Sequence, residues 1–441
     1  MSVSRFVTLF VAVVLAMSGS RAHAVPSYAR ELQVPCAACH TMFPQLTAFG
    51  RQFKLNGYML GETGKGVVAK DEQGRETLAL DAFPPLSVML TTAFTSLSRS
   101  VPDVQNNSVQ LPQEASLFVG GRIAPGLGTF TQLTYTQEDG QIALDNAELR
   151  YAKTATLGGK PVTYGAVLNN NPSLEDLWES TPAWGFPWAE SSSAPSPAAS
   201  ALVDGNLAQD VVGVGGYAFF NSKYYVASTL YRSAHIGSTA PSATSENTIE
   251  GAAPYWRFAW QHSFGSAYLE LGTYGLLANV IPQGVSGPTD DYRDLAVDAQ
   301  YELPIKSRTL RVHGTFIREH QDLNASVALG LAADQTYDLD TLRVDAGLYR
   351  QRVGFILGLL DISGGTDAVR FAPNPVDGSA NGQPDSRAWT AEVVFAPWLN
   401  VQLRVQYKAY TKFNGAGSNY DGFGRSASDN NTLLLHAWLA W

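Results

Sequence analysis

The sequence predicts a mainly β fold, a sixteen-stranded antiparallel barrel preceded by a small α-helical segment, and three observations predict it. From Leu86 to Trp441 no apolar period of helical length occurs, whereas segments of about ten residues alternate apolar and polar. Clusters of Gly, Asn, Asp and Pro separate those segments. The two faces also differ in kind: in 400–412, Val401, Leu403, Val405, Tyr407 and Ala409 share one face, and Gln402, Arg404, Gln406, Lys408 and Tyr410 the other. Such a strand suits lipid on one side and water on the other. Of 441 residues, 45% are hydrophobic and only 16% charged, with a formal charge of -9, which excludes a disordered or nucleic-acid-binding chain. Two cysteines exclude a disulfide framework.

In chain order, residues 1–24 read as a cleaved signal peptide. Arg5 precedes the uncharged run Phe6–Met17, and the small-residue site Ala22-His23-Ala24 follows. The run is shorter than the roughly 20 residues of a membrane-spanning helix. Cleavage removes Arg5 and Arg21 and no acid, so the exported chain is more acidic still.

Residues 25–82 form the helical segment, and Cys36-Ala37-Ala38-Cys39-His40 is its chemical feature. In an exported chain, C-x-x-C-H reads as covalent attachment of one c-type haem. Two thiols at this spacing form thioethers, and the next residue supplies an imidazole as proximal iron ligand. A thioredoxin-like dithiol lacks its βαβ surround, and half a zinc site lacks two further ligands nearby. Met59 is the expected distal ligand. It follows a stretch long enough to loop over the ring, whereas Met42 lies too close to His40; its plain alternative is a thioether filling a core gap.

Residues 83–441 form the barrel, with strands near 86–97, 115–123, 128–137, 142–152, 161–169, 209–220, 223–233, 254–263, 267–279, 291–302, 307–320, 339–351, 352–363, 386–395, 400–412 and 430–441. Connections after even-numbered strands are short and most after odd-numbered ones are long, the asymmetry of a bacterial outer-membrane barrel with both termini periplasmic. A soluble sandwich or propeller explains neither this one-sidedness nor the signal peptide with a terminal aromatic. A segment of 58 residues is small for burying a haem by itself, so the barrel is expected to complete the pocket, the segment plugging the lumen. Strand parity points His313 and His436 inward and His262 outward. An inward histidine is either ordinary lumen lining or an alternative distal ligand that would lock haem to barrel.

Beyond these patterns, Ala24-Val25-Pro26-Ser27-Tyr28-Ala29-Arg30, Cys36 to His40, Phe43-Pro44 and Phe49 to Tyr58 resemble the fused monohaem cytochrome-porin family of outer-membrane iron oxidases. Asn169-Asn170-Asn171-Pro172 and Ser180 to Pro187 resemble that family's long-loop motif, and the layout covers the full chain. The N-terminal match is specific; most strands match only in pattern. The resemblance implies electron transfer from extracellular Fe(II), through one c-type haem, to a periplasmic c-type cytochrome or other carrier, an iron:cytochrome c oxidoreductase activity. Outward electron transfer, and a diffusion porin with a structural or sensory haem, are the alternatives. Acids of the long loop (Glu175, Asp176, Glu179, Glu190, Asp204) and of other loops read as a solvated surface, so no iron site is named.

Overall fold

The computed structural model describes residues 26–32, 34–59, 67–74, 76–80, 86–137, 140–181, 184–233 and 247–441. The expected signal peptide lies outside them. Sixteen long antiparallel strands form one closed barrel. They are β1 (Leu86–Leu97), β2 (Glu114–Ala124), β3 (Leu127–Thr136), β4 (Ile142–Leu157), β5 (Lys160–Asn169), β6 (Val211–Phe220), β7 (Tyr224–Ser233) and β8 (Ala253–Phe264). There follow β9 (Ala267–Ile281), β10 (Asp290–Ile305), β11 (Arg308–Asp322), β12 (Thr336–Arg350), β13 (Val353–Gly364), β14 (Ser386–Trp398), β15 (Val401–Lys412) and β16 (Thr432–Ala440). Two short strands, Ser108–Gln110 and Thr248–Glu250, prolong the β2 and β8 staves, pairing with β1 and β9. The last strand closes on the first, from Thr432↔Leu97 to Ala440↔Met89.

The expected strand count and order hold. Some ends fall a residue or two short, as at β6 (Val211 rather than 209) and β16 (Thr432–Ala440 rather than 430–441), and others outlast their pattern. β4 runs to Leu157 rather than 152 because Lys153, Thr154 and Thr156 keep the ladder to β5 while standing exposed. Alternation needs two contrasting faces; hydrogen bonding does not.

Side chains sort by parity as a barrel in lipid requires. On β9 and β10, Leu271 (47% exposed), Leu295 (54%) and Val297 (53%) face outward, while Glu270, Asp294 and Asp298 are buried inside. An apolar exterior over a polar interior makes this an outer-membrane porin-like barrel. All connections after even-numbered strands are turns of two or three residues, and the first and last strands both meet that short-turn end.

The lumen is filled by the chain itself in two layers. The N-terminal segment holds three short helices, α1 (Pro26–Leu32), α2 (Cys36–Cys39) and α3 (Ala48–Leu55), and packs against the strand ends beside the short turns. Arg51 pairs with Glu302 of β10 at 3.0 Å, and Gln45 donates to the Tyr349 hydroxyl of β12 at 2.8 Å. The expectation of a helical segment is corrected in part. His40–Met42 pairs with Gln45–Leu46, and Val67–Lys70 with Glu76–Leu80, as two small hairpins. Helices this short cannot bury an apolar stripe alone, so wall contacts hold the layer. Thr47 caps α3 by accepting from the Gly50 amide at 3.2 Å. Gly50 packs so closely on the Cys39 carbonyl that a Cβ there would collide with it.

The second layer is the long loop between β5 and β6, which folds inward at the opposite end. Its amides at Leu202 and Val203 donate to Glu319 and Asp294, each at 2.6 Å. This overturns the expectation of solvated loop acids. Glu175, Asp176 and Glu179 are buried, and only Glu190 among the five is exposed. The reason is the wall's polarity: a lumen lined with arginine, amides and hydroxyls can satisfy carboxylates that no apolar core would accept.

Candidate functional site: a cavity between two plugs

The C-x-x-C-H motif borders a cavity of about 360 Å³ where the two layers meet. Cys36 and Cys39 are three apart on α2, so both thiols lie on one helix face. They form no disulfide with each other, and burial pushes the thiols up, to about 12 and about 11.

His40 leaves α2 in extended conformation and faces the same cavity. Its Nδ1 lies 2.8 Å from the Pro44 carbonyl, which orients the ring and leaves Nε2 for another partner. A metal-ligating histidine is held in the same way, one ring nitrogen on a carbonyl and the other on the metal. Burial lowers His40 to about 4, so the imidazole is neutral near pH 7.

The remaining walls come from the loop and the barrel. Trp184 and Trp188 close the loop side; Met89, Phe118, Phe130, His436 and Trp438 are barrel side chains pointing in. Arg404 of β15 ties the N-terminal layer to the barrel. Its guanidinium donates to the Phe43 carbonyl at 2.6 Å, the Gln402 amide oxygen at 2.6 Å and the Glu392 carboxylate at 2.8 Å. Glu179 of the loop accepts from the Leu46 amide at 3.0 Å, and Lys54 of α3 donates to the Asp176 carbonyl at 3.1 Å.

Of the expected site residues, Cys36, Cys39 and His40 stand together at the cavity. Met59 does not line it; it is half-buried beyond Gly57 and Tyr58, whose hydroxyl donates to Glu148 at 2.6 Å. His313 points inward, but its Nδ1 lies 3.4 Å from Asp345 and it stands outside the cavity. His262 points outward, between Trp260 and Phe264. His235 lies outside the described residues. Met89, one of the three thioethers that the chain offers after residue 24, does line the cavity; sequence reasoning missed Trp438 and Arg404. Strand parity marked their inward faces but not which of many inward side chains meet the motif.

These residues fit a covalently held haem. The walls are rich in aromatic rings, two thiols and an imidazole occupy one edge, and His436 Nδ1 is buried there with no hydrogen-bond partner. The volume lies in the range of cofactor pockets, roughly 300–1,000 Å³. Among the described residues no cluster of three or more His, Cys, Asp or Glu could hold a bare metal ion.

No family model and no curated protein matches the chain. Among solved structures, a loop-deletion form of OmpT, an outer membrane protein of Vibrio cholerae, is similar at 10% identity and TM-score 0.44, covering 81% of this chain and 98% of that one. The outer membrane channel DcaP of Acinetobacter baumannii is similar at 10% identity and TM-score 0.44, covering 81% and 96%. A Rh. blastica porin mutant is similar at 11% identity and TM-score 0.39, covering 81% and 100%.

Proposed function

We propose that this protein is an outer-membrane electron conduit that takes electrons from extracellular Fe(II) and passes them inward, through one c-type haem, to a periplasmic c-type cytochrome or other carrier. The supporting observation is the position of the motif. Cys36, Cys39 and His40 border a cavity inside a lumen filled on both sides by the chain itself. A haem bound there supplies one-electron chemistry and nothing more.

The protein's own residues do the rest. Cys36 and Cys39 would hold the group covalently, and His40, aimed by the Pro44 carbonyl, would supply its proximal imidazole. Trp184, Trp188, Phe118 and Phe130 give the cavity aromatic walls against which a haem ring would pack. Arg51, Arg404 and Gln45 fix the segment against the barrel, so the motif keeps one depth in the membrane. Depth matters because the hydrocarbon layer is about 30 Å thick, and a donor outside and an acceptor inside must each come near one centre. His436, on the cavity wall, is the middle residue of the nine in β16. Oxidation at the outer face would also leave the poorly soluble ferric product outside the cell.

A diffusion porin with a structural haem is the alternative, and it fits the barrel as well. The test is anaerobic spectroscopy of oxidised, haem-loaded protein during addition of Fe(II), with a Cys36→Ala/Cys39→Ala form as control. Rapid, saturating appearance of the reduced c-haem spectrum is expected. Reduction by dithionite but not by Fe(II) would overturn iron oxidation and turn the search to another donor or to outward flow.

A further inference from the structure

We infer that the barrel wall supplies the haem's distal axial ligand, and that this ligand is the imidazole of His436 on β16. The inference rests on the haem reading above and deepens it. Four observations lead there. His436 lines the cavity that holds Cys36, Cys39 and His40, whereas Met59 does not. It is 5% exposed and its Nδ1 has no hydrogen-bond partner. A buried polar atom left without a partner costs free energy, so something the protein chain does not provide is expected to engage this ring. Its register neighbours cannot accept from it: Ala93 is apolar, and Arg404 carries only donors, already committed to Phe43, Gln402 and Glu392.

Proximity to the proximal histidine follows from a chain of rings. His40 and Phe43 have ring centroids 4.1 Å apart, and Phe43 stacks on Trp438 at 4.8 Å. Trp438 is two residues from His436 on the same inward face, about 7 Å along a strand. The other inward histidine, His313, lies outside the cavity with Asp345 beside it, although its Nε2 also lacks a partner. Met89 reaches the cavity, but a thioether is content in an apolar wall, and an imidazole without hydrogen bonds is not. Ligation by His436 would make the haem a cross-link between the N-terminal segment and the last strand.

The test is spectroscopic and uses the full-length, haem-loaded protein in detergent or lipid. Near-infrared magnetic circular dichroism of the unmutated ferric protein is expected to show the charge-transfer band of bis-imidazole ligation. A thioether signature would overturn the inference, as would a high-spin ferric haem. His436→Ala is expected to convert low-spin to high-spin haem, with added free imidazole restoring the low-spin spectrum. Met59→Ala and Met89→Ala are expected to leave it unchanged. His436→Met is expected to raise the reduction potential, since Met/His ligation raises it. A low-spin spectrum in His436→Ala identical to that of the parent would remove His436 from the iron. Should the parent protein carry no covalent haem, the haem reading itself falls, an outcome distinct from retained haem with an indifferent His436.

Discussion

Replacing Arg257 by alanine should release the long loop from the lumen. Arg257 is fully buried on β8 and faces three carboxylates: Asp298 at 2.8 Å, Glu270 at 3.3 Å and Asp176 of the loop at 3.5 Å. Removing one partner of a buried ion pair typically costs about 3–5 kcal/mol, because the other charge is left without compensation. The remaining escape is proton uptake. In the intact protein burial pushes Asp176 up, but Arg257 and the amides of Thr181 and Trp178 more than offset this and hold its carboxyl below the usual range. Without Arg257, protonating an ordinary carboxyl near 3.9 at pH 7 costs about 4 kcal/mol, which bounds the penalty within the same range. A loss of that size shifts loop docking by about two to three and a half powers of ten. The variant's carboxyl would bind its proton more tightly docked than released, so its deficit should grow as pH rises above about 4. In the parent the sign is opposite: the anchor is complete above about pH 3.9 and lost as pH falls through the lower docked value. The assay is planar-bilayer conductance with limited chymotrypsin digestion, since the loop carries Trp178, Trp184 and Trp188. Arg318→Ala is the control, its side chain being 60% exposed and its contact with Asp340 worth at most about 1 kcal/mol. Parental conductance and protease resistance in the Arg257 variant, with the barrel intact, would refute the reasoning.

Other expectations test the same architecture. Liposomes carrying the protein should not swell in sugar, because both layers occupy the lumen; rapid swelling would mean that they leave an open path. Glu190→Gln should leave loop docking unchanged, since the Glu190 carboxylate is 53% exposed where it pairs with Lys408. Glu179→Gln should increase proteolysis of the loop, because Glu179 is buried between the Leu46 amide and Arg311; equal digestion of the two variants would count against this difference. Tyr58→Phe should cost about 1.5–3 kcal/mol in denaturant unfolding, the range for a hydrogen bond to a charged group, as Glu148 loses its 2.6 Å donor.

Much of this protein is legible in the order of its residues, for reasons that are local. A strand between lipid and a polar lumen must alternate, so Val401, Leu403 and Val405 against Gln402, Arg404 and Gln406 declared both a strand and its faces. Short turns after even-numbered strands declared the hairpin order. Spacing alone marked Cys36, Cys39 and His40 as one attachment motif, and the fold sets both cysteines on one short helix. Parity alone turns His436 inward and His262 outward.

Only tertiary structure decided what fills the lumen and what meets the motif. Glu175, Asp176 and Glu179 look like solvated loop acids until Thr229, Arg257 and Arg311, each from a distant strand, are brought against them. Nothing in the loop's own composition encodes those partners. The cavity is likewise a meeting of segments hundreds of residues apart: His40 near one end of the chain, Trp188 from the loop and His436 near the other end. Their encounter depends on barrel closure, which sets β16 beside β1 and fixes which inward side chains stand at one depth. Periodicity tells each strand which way its side chains point; the shear of the closed sheet decides which of them meet.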